Sequence, residues 1–270
     1  MVKTETDIKN SDKIPGQVIE INNLSKSFAD LDVLKNLSLK LYKGENLVVL
    51  GKSGSGKSVL IKCIVRLLYP DQGTIHVLGK NVNKLKRKEL AVMREKIGFL
   101  FQSGALYDSM TIKQNLEFPL RRIKRNLTKK EMDEKIDEVL ENVGLTGTLH
   151  KMPSELSGGM RKRASLARTI VVDPLIMLYD EPTTGLDPVT SDGISALIND
   201  VQEKYKTSSI IITHDIECAR ATADRIIMLQ NGEVYMKGTI DDFENSTDEI
   251  ITSFFKQHIH HAQKKIIKNG

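Results

Sequence analysis

The chain has 270 residues, 40% apolar and 28% charged, which supports a folded body with one large core or two small ones. No apolar run approaches the length of about 18 residues that crosses a bilayer, and the N-terminus lacks an apolar signal segment. Neither a spanning helix nor a secretory signal is predicted. Cys63 and Cys218 lie far apart in apolar surroundings without CxxC spacing, which predicts packing roles in a reducing compartment rather than a disulfide or zinc site.

The net charge is +5, and the excess is local: Lys84, Lys86, Arg87 and Lys88 form one cluster, and Arg121, Arg122, Lys124, Arg125, Lys129 and Lys130 another. Such clusters serve as solvated faces or meet anionic headgroups and acidic partner loops. Aromatic residues do not interleave with them and Trp is absent, so nucleic acid is not expected as a partner.

In chain order, residues 1–16 are polar and close on Ile14-Pro15-Gly16, which reads as a disordered leader ahead of a domain over 17–245. Val18 to Ile21, Val33-Leu34 and Leu37 to Leu41 alternate as half-buried strands. Leu47 to Leu50 is apolar throughout, as a central parallel strand should be. Directly after it comes Gly51-Lys52-Ser53-Gly54-Ser55-Gly56-Lys57-Ser58, then the helix-compatible run from Val59. This strand, glycine-rich turn and helix are the context of a phosphate-binding loop. Its glycines let successive N–H groups converge on one anion, and the helix adds its positive end. Lys57 supplies an ammonium for the outer phosphates and Ser58 a hydroxyl for a bridging magnesium ion, so a nucleoside triphosphate site is predicted.

Thr74 to Leu78 and Ile97 to Phe101 read as strands on either side of a helix at 86–96. From Thr111 to about Leu149 apolar residues recur at helical spacing with no strand between, which predicts a helical insertion and a helical subdomain over about 103–172. The strand rhythm returns at Leu175 to Tyr179, Ser209 to Thr213 and Arg225 to Leu229, separated by helices at 159–171, 189–203 and 216–223. Together these predict an α/β fold with an antiparallel β edge and a parallel core sheet covered on both faces. Asn231-Gly232 marks a hairpin of the primed type.

Ligands of open parallel sheets sit at the carboxyl ends of strands. Three more strands end in suitable residues: Gln102 as a neutral metal ligand, Asp180-Glu181 as metal-shell carboxylate and general base, and His214 as a contact for the γ-phosphate or the water. Alone, each is equally a turn, cap or structural residue; beside the loop at Gly51 they form one set. Leu156-Ser157-Gly158-Gly159-Met160 opens another helix, where Ser157 is either a plain cap or, with the free N–H groups of Gly158 and Gly159, a second anion site.

In order, Gly51 to Ser58, Gln102, Leu156 to Met160, Leu178-Tyr179-Asp180-Glu181, Gly185-Leu186-Asp187-Pro188 and His214 resemble the Walker A, Q-loop, signature, Walker B, D-loop and H-loop of ATP-binding cassette (ABC) ATPases. The resemblance covers about Val18 to Gly238 and implies the P-loop NTPase fold of the ABC ATPase type. It implies ATP with Mg2+ and a head-to-tail homodimer in which each ATP lies between one subunit's Walker A and the other's signature. Residues carried over as nucleotide-binding are Phe28, stacking on adenine, Gly51, Lys52, Ser53, Gly54, Ser55, Gly56, Lys57, Ser58, Val59, Leu156, Ser157, Gly158, Gly159 and Asp187. Glu181 and His214 are carried over as catalytic, and Ser58, Gln102 and Asp180 as metal-binding. Met160, Phe28 and Lys52 depart from the commonest residues at their places without removing a catalytic group.

Phe101 to Thr111 and Asn115-Leu116-Glu117-Phe118-Pro119-Leu120 are similar more narrowly to the ATPase subunits of Mla-type lipid transporters. This implies an integral-membrane permease, an MCE-domain substrate-binding protein, and a peripheral place on the cytoplasmic side of the inner membrane. Ala105, Leu106, Tyr107 and Met110 are either a docking groove for a permease helix or core of the insertion. The alternatives are an ABC importer for amino acids or other small solutes, and a soluble ABC protein acting on ribosome or DNA.

Residues 246–270 read as an amphipathic helix and basic tail. Ile250, Ile251, Phe254, Phe255 and Ile259 form an apolar stripe that either folds onto its own subunit or reaches the partner; the second is expected, as a dimer clasp. His258, His260 and His261 lack a Cys or carboxylate partner and are read as a polar tail rather than a metal site.

Overall fold

The computed structural model describes residues 16–256. The proposed leader before Gly16, the three tail histidines and Ile259 lie outside the described residues. The chain opens with β1 (Gln17–Phe28) and β2 (Leu31–Tyr42), then β3 (Asn46–Leu50) and α1 (Lys57–Ile64). It continues through β4 (Gln72–Val77), β5 (Lys80–Asn81), α2 (Arg87–Arg94) and β6 (Ile97–Leu100). Three helices follow: α3 (Ile112–Ile123), α4 (Lys129–Asn142) and α5 (Gly158–Ile170). Strand and helix then alternate as β7 (Ile176–Asp180), α6 (Pro188–Tyr205), β8 (Ser208–Thr213), α7 (Ile216–Thr222), β9 (Arg225–Gln230), β10 (Glu233–Gly238) and α8 (Ile240–Glu244).

The strands form the antiparallel edge and the parallel core that the sequence predicts, divided between two sheets. A four-stranded antiparallel sheet has the order β2-β1-β4-β5, and a six-stranded sheet the order β10-β9-β3-β8-β7-β6, parallel from β9 to β6. Val33-Leu34 and Leu37 to Leu41, expected as separate strands, belong to one twelve-residue strand, β2. Irregularities in its register with β1 absorb the break in alternation.

Alternate residues of the buried strands serve two cores, because successive side chains of a strand point to opposite faces. Leu47, Val49, Leu178, Ile210 and Ile212 pack with α1 and the antiparallel sheet. Val48, Leu50, Tyr179, Ile211 and Met228 pack with α3 to α6. That double coverage is why β3, β7 and β8 are buried at every position rather than alternating between buried and exposed.

The helical insertion forms as its spacing predicts. Thr111 and Thr128 cap α3 and α4, with Gln114 and Glu131 completing reciprocal capping boxes. Pro119 lies inside α3, where it removes the N–H that would bond Asn115. Asn115 is fully buried, and its amide binds the backbone of Tyr107, Met110 and Thr111, tying α3 to the loop before it. Asn231 and Gly232 both take positive φ, as the hairpin of primed type requires. No helix of the described residues is long and apolar enough to cross a membrane.

The expected dimer clasp is corrected here. Residues 249–256 are helical, and Ile251, Phe254 and Phe255 are buried in the core that also holds α3 to α6. Phe255 stacks on Phe243 with ring centroids 6.2 Å apart, while Ile250 is exposed. Asp248 caps the segment through the Ile250 and Ile251 N–H groups and accepts from the Tyr235 hydroxyl. Ile251, Phe254 and Phe255 are covered by their own subunit because the open face of the main core offers them apolar burial without a second chain. Phe254→Ala is therefore expected to destabilise the isolated subunit by about 3–5 kcal/mol in urea titration. Truncation after Asn245 should lower the unfolding midpoint as well; an unchanged midpoint would contradict this packing.

Candidate functional site

Strand order brings the predicted residues together. β3, β8, β7 and β6 are consecutive neighbours, and the pairs Leu50 with Thr213, Asp180 with Ile212 and Leu100 with Tyr179 end the strands nearly level. The residues that follow, Gly51, His214, Glu181 and Gln102, thus emerge at one edge of the sheet.

The loop after β3 closes around Lys57. Gly54 and Gly56 have φ of +81° and +97°, open to glycine at little cost. Gly51 has no such φ; its constraint is space, since a Cβ there would stand 2.5 Å from Ser55 Oγ and 2.7 Å from Leu229 O. Gly56 caps α1 without a side-chain bond, so the first N–H groups of the helix are left for an anion. Lys57 Nζ donates to Gly51 O at 2.6 Å and Lys52 O at 3.1 Å, and lies 3.4 Å from Glu181 Oε1. Burial lowers the Lys57 pKa although the Glu181 carboxylate pulls it up.

Two adjacent carboxyl groups are driven in opposite directions. Burial pushes Asp180 up against the hydrogen bond it accepts from Ser58 Oγ at 3.1 Å. Burial also pushes Glu181 up, but the bond from His214 and the charges of Lys57 and His214 outweigh it and hold this carboxyl below the usual range. His214 Nδ1 lies 2.8 Å from Glu181 Oε2 and is raised by that bond. Thr184 and Thr213 donate to the same oxygen. Glu181 is itself in the left-handed region at φ +49°, strain that the surrounding bonds hold in place. Pairs of titratable groups pushed apart mark acid–base sites.

A cavity of about 310 Å³ lies here, lined by Val33, Ser53, Gly54, Gly56, Lys57, Ser58, Val59, Gln102, Glu181 and His214. A larger groove of about 550 Å³ lies between α4 and α6, around Asn142 and Tyr205, without comparable chemistry. The oxygens of Ser58, Asp180 and Gln102 suit a hard divalent cation. The buried Ser55 hydroxyl, without a partner, gives the loop a further polar atom for an anion's oxygens.

Other expected residues lie outside the lining set. Phe28 is exposed at the end of β1 under the Lys26 ammonium. Lys52 is exposed and contributes its carbonyl. Ser157 accepts from Met160 N as the cap of α5, and Asp187 from Thr190 N as the cap of α6. Leu156 is buried, Gly158 approaches Leu186, and Gly159 abuts Thr190 so closely that a Cβ would meet it at 2.5 Å. The signature thus packs on the segment around Asp187 and reaches no part of its own chain's cavity. Val33 was not predicted; its carbonyl lies 2.8 Å from a Cβ built on Gly56, a contact between distant segments with no local signal.

The Glu181–His214 bond has a titration signature. Glu181→Gln removes the carboxylate that holds the proton on His214, so the imidazole should titrate at lower pH than in the wild type. Proton NMR of the ring across pH 5–9 reads the shift, on the order of one unit; an unmoved His214 pKa would deny the pairing.

The ABC transporter family profile matches residues 34–184. The probable ribonucleotide transport ATP-binding protein mkl of Mycobacterium tuberculosis is 41% identical over 242 residues, covering 88% of this chain and 66% of the relative. The intermembrane phospholipid transport system ATP-binding protein MlaF of Haemophilus influenzae is 38% identical over 242 residues, covering 88% and 90%. The methionine import ATP-binding protein MetN of Bartonella henselae is 35% identical over 256 residues, covering 93% and 74%. The dimeric structure of MJ0796, a bacterial ABC transporter cassette, superposes with a TM-score of 0.76 at 33% identity, covering 82% of this chain and 98% of that one. The chain belongs to the ABC transporter family and carries that family's ATP-hydrolysing cassette.

Proposed function

We propose that the chain is the ATP-hydrolysing subunit of a membrane ABC transporter that moves phospholipid or a related lipid, working as a homodimer. The observation that carries the ATPase reading is the convergence of Lys57, Ser58, Gln102, Glu181 and His214 on one cavity, with Asp180 accepting from Ser58 beside it. ATP phosphates are received by the loop from Gly51 to Ser58 and the start of α1. Ser58, Asp180 and Gln102 would hold Mg2+, which when bound neutralises charge on the phosphate oxygens. Lys57 exchanges Glu181 for the outer phosphates, and the freed Glu181 orients the attacking water and takes its proton. His214, bonded to Glu181, keeps that carboxylate ionised and aimed.

Ser157, Gly158 and Gly159, turned away from their own cavity, serve the ATP of a second subunit, in keeping with the dimeric MJ0796 cassette. Phe28 and Asp187 fall to the adenine and to the subunit junction. Tyr107 and Phe118 are 43% and 40% exposed, with ring centroids 5.3 Å apart, while Leu106 packs against the core. Tyr107, the exposed member of the predicted groove, is left with Phe118 beside it to receive a permease helix. Lipid as cargo is supported by the likeness to MlaF across 90% of its length and by the motifs around Gln102 and Asn115. An MCE-domain protein as third component and a peripheral place on the cytoplasmic side of the inner membrane belong to the same reading. The likeness to MetN favours a second reading, import of an amino acid or other small solute. Purification from solubilised membranes decides between them: a bound MCE protein and phospholipid support lipid transport, whereas a solute-binding protein overturns it.

Glu181→Gln should lower turnover by about 10²- to 10⁴-fold while ATP binding persists; wild-type hydrolysis by this variant would remove Glu181 from its role. Lys57→Ala and Ser157→Arg homodimers should each be inactive. A heterodimer pairing the two has one doubly damaged and one intact site, so mixing should restore part of the activity. No recovery with heterodimers demonstrably formed would contradict the shared sites.

A further inference from the structure

Side chains along α5 hold the segment that follows β6. Arg161 donates to Asp108 Oδ1 at 3.1 Å, Arg168 sits 5.0 Å over the Tyr107 ring, and a Cβ on Gly104 would stand 2.6 Å from Ser165 Oγ. Lys162 is the buried cation of this row, 6% exposed, and its Nζ donates to Gln102 O at 2.7 Å. Lys162 forms no salt bridge among the described residues, although Asp180 and Glu181 attract it from further away. A buried ammonium is desolvated at a cost that one carbonyl and distant carboxylates offset only in part, and an apolar side chain of similar length would avoid that cost. Stability alone therefore gives no reason for a charge here, and the acceptor it binds is the backbone of a residue at the mouth of the cavity.

We propose that Lys162 is a positioning residue: it clamps the Gln102 backbone to α5 and so keeps the Gln102 side chain at the Mg–ATP cavity. This rests on the reading of that cavity given above. The same helix begins at Ser157, Gly158 and Gly159. A displacement of α5 caused by the second subunit's nucleotide is thereby delivered to Gln102 in the first, and the clamp links the two half-sites through one rigid element.

The test uses the full chain and begins without nucleotide. In Lys162→Met, hydrogen exchange over 101–110 should speed up several-fold while β3, β7 and β8 exchange as in the wild type. The Mg2+ concentration for half-maximal binding of a fluorescent ATP analogue should rise about tenfold, as expected for a lost charge-assisted hydrogen bond. Gln102→Ala should raise the Mg2+ requirement similarly, and adding Lys162→Met to it should raise that requirement no further. Unchanged exchange over 101–110, faster exchange spread over the whole chain, or additive Mg2+ shifts would each overturn the proposal. Nucleotide binding by the wild type that ignores Mg2+ would instead overturn the site reading, with the exchange measurement still reporting on the Lys162 bond.

Discussion

The parallel hydrogen bonding of β3, β8, β7 and β6 is the constraint on which the site depends. Adjacent strands lie about 4.7–4.9 Å apart, so four strands ending level present their next residues in a row only three strand spacings long. β3 supplies the anion loop, β8 His214, β7 the two carboxylates and β6 Gln102. β9 lies on the far side of β3 and turns back through Asn231-Gly232, which brings the hairpin against Val33 at the same mouth. A one-residue slip of β7 against β8 would withdraw Glu181 from His214. The two cores resist it, because such a slip would exchange the residues that face each of them.

Electrostatics within that frame follow from burial. Lys57 and Glu181, which line the cavity, and Asp180 next to them are all buried, with little water around them. Their charges are met by each other and by the backbone of the loop: Lys57 by two carbonyls and Glu181, and Glu181 by His214 and threonine hydroxyls. Asp180 accepts from Ser58, and burial holds its carboxyl above the usual range, which a divalent cation beside it would reverse. The neighbouring carboxylates thus differ in character although they are consecutive in the chain, since one faces the loop hydroxyl and the other the imidazole.

The helices from α3 to α5 form a separate layer joined to the sheet through the segment after Gln102. Asn115 pins its outer part and α5 its inner part, with Tyr107 and Phe118 left at the surface. The same loop therefore touches the proposed metal, the helix carrying the signature and the exposed aromatic pair.

The sequence by itself determined what is local. The spacing from Gly51 to Ser58, the apolar strand before it, the capping threonines of α3 and α4 and the Asn231-Gly232 hairpin each depend on neighbours within a few residues, and each appears in the structure where it was expected. The candidate positions Gln102, Asp180, Glu181 and His214 were legible because each stands at or just past the end of a strand with an apolar run. Tertiary structure alone decided what depends on distant partners. The antiparallel strands β1, β2, β4 and β5 form a sheet of their own while β10 stays on the main one, and Gly51 is required by crowding from Ser55 and Leu229 rather than by its dihedral angle. The tail's apolar stripe looks the same in sequence whether it meets its own core or another subunit; only the open surface beside Phe243 settles that it packs at home. Lys162 likewise reads as one more cation in a basic helix until the fold buries it against Gln102, because burial is a property of the whole chain and not of its order.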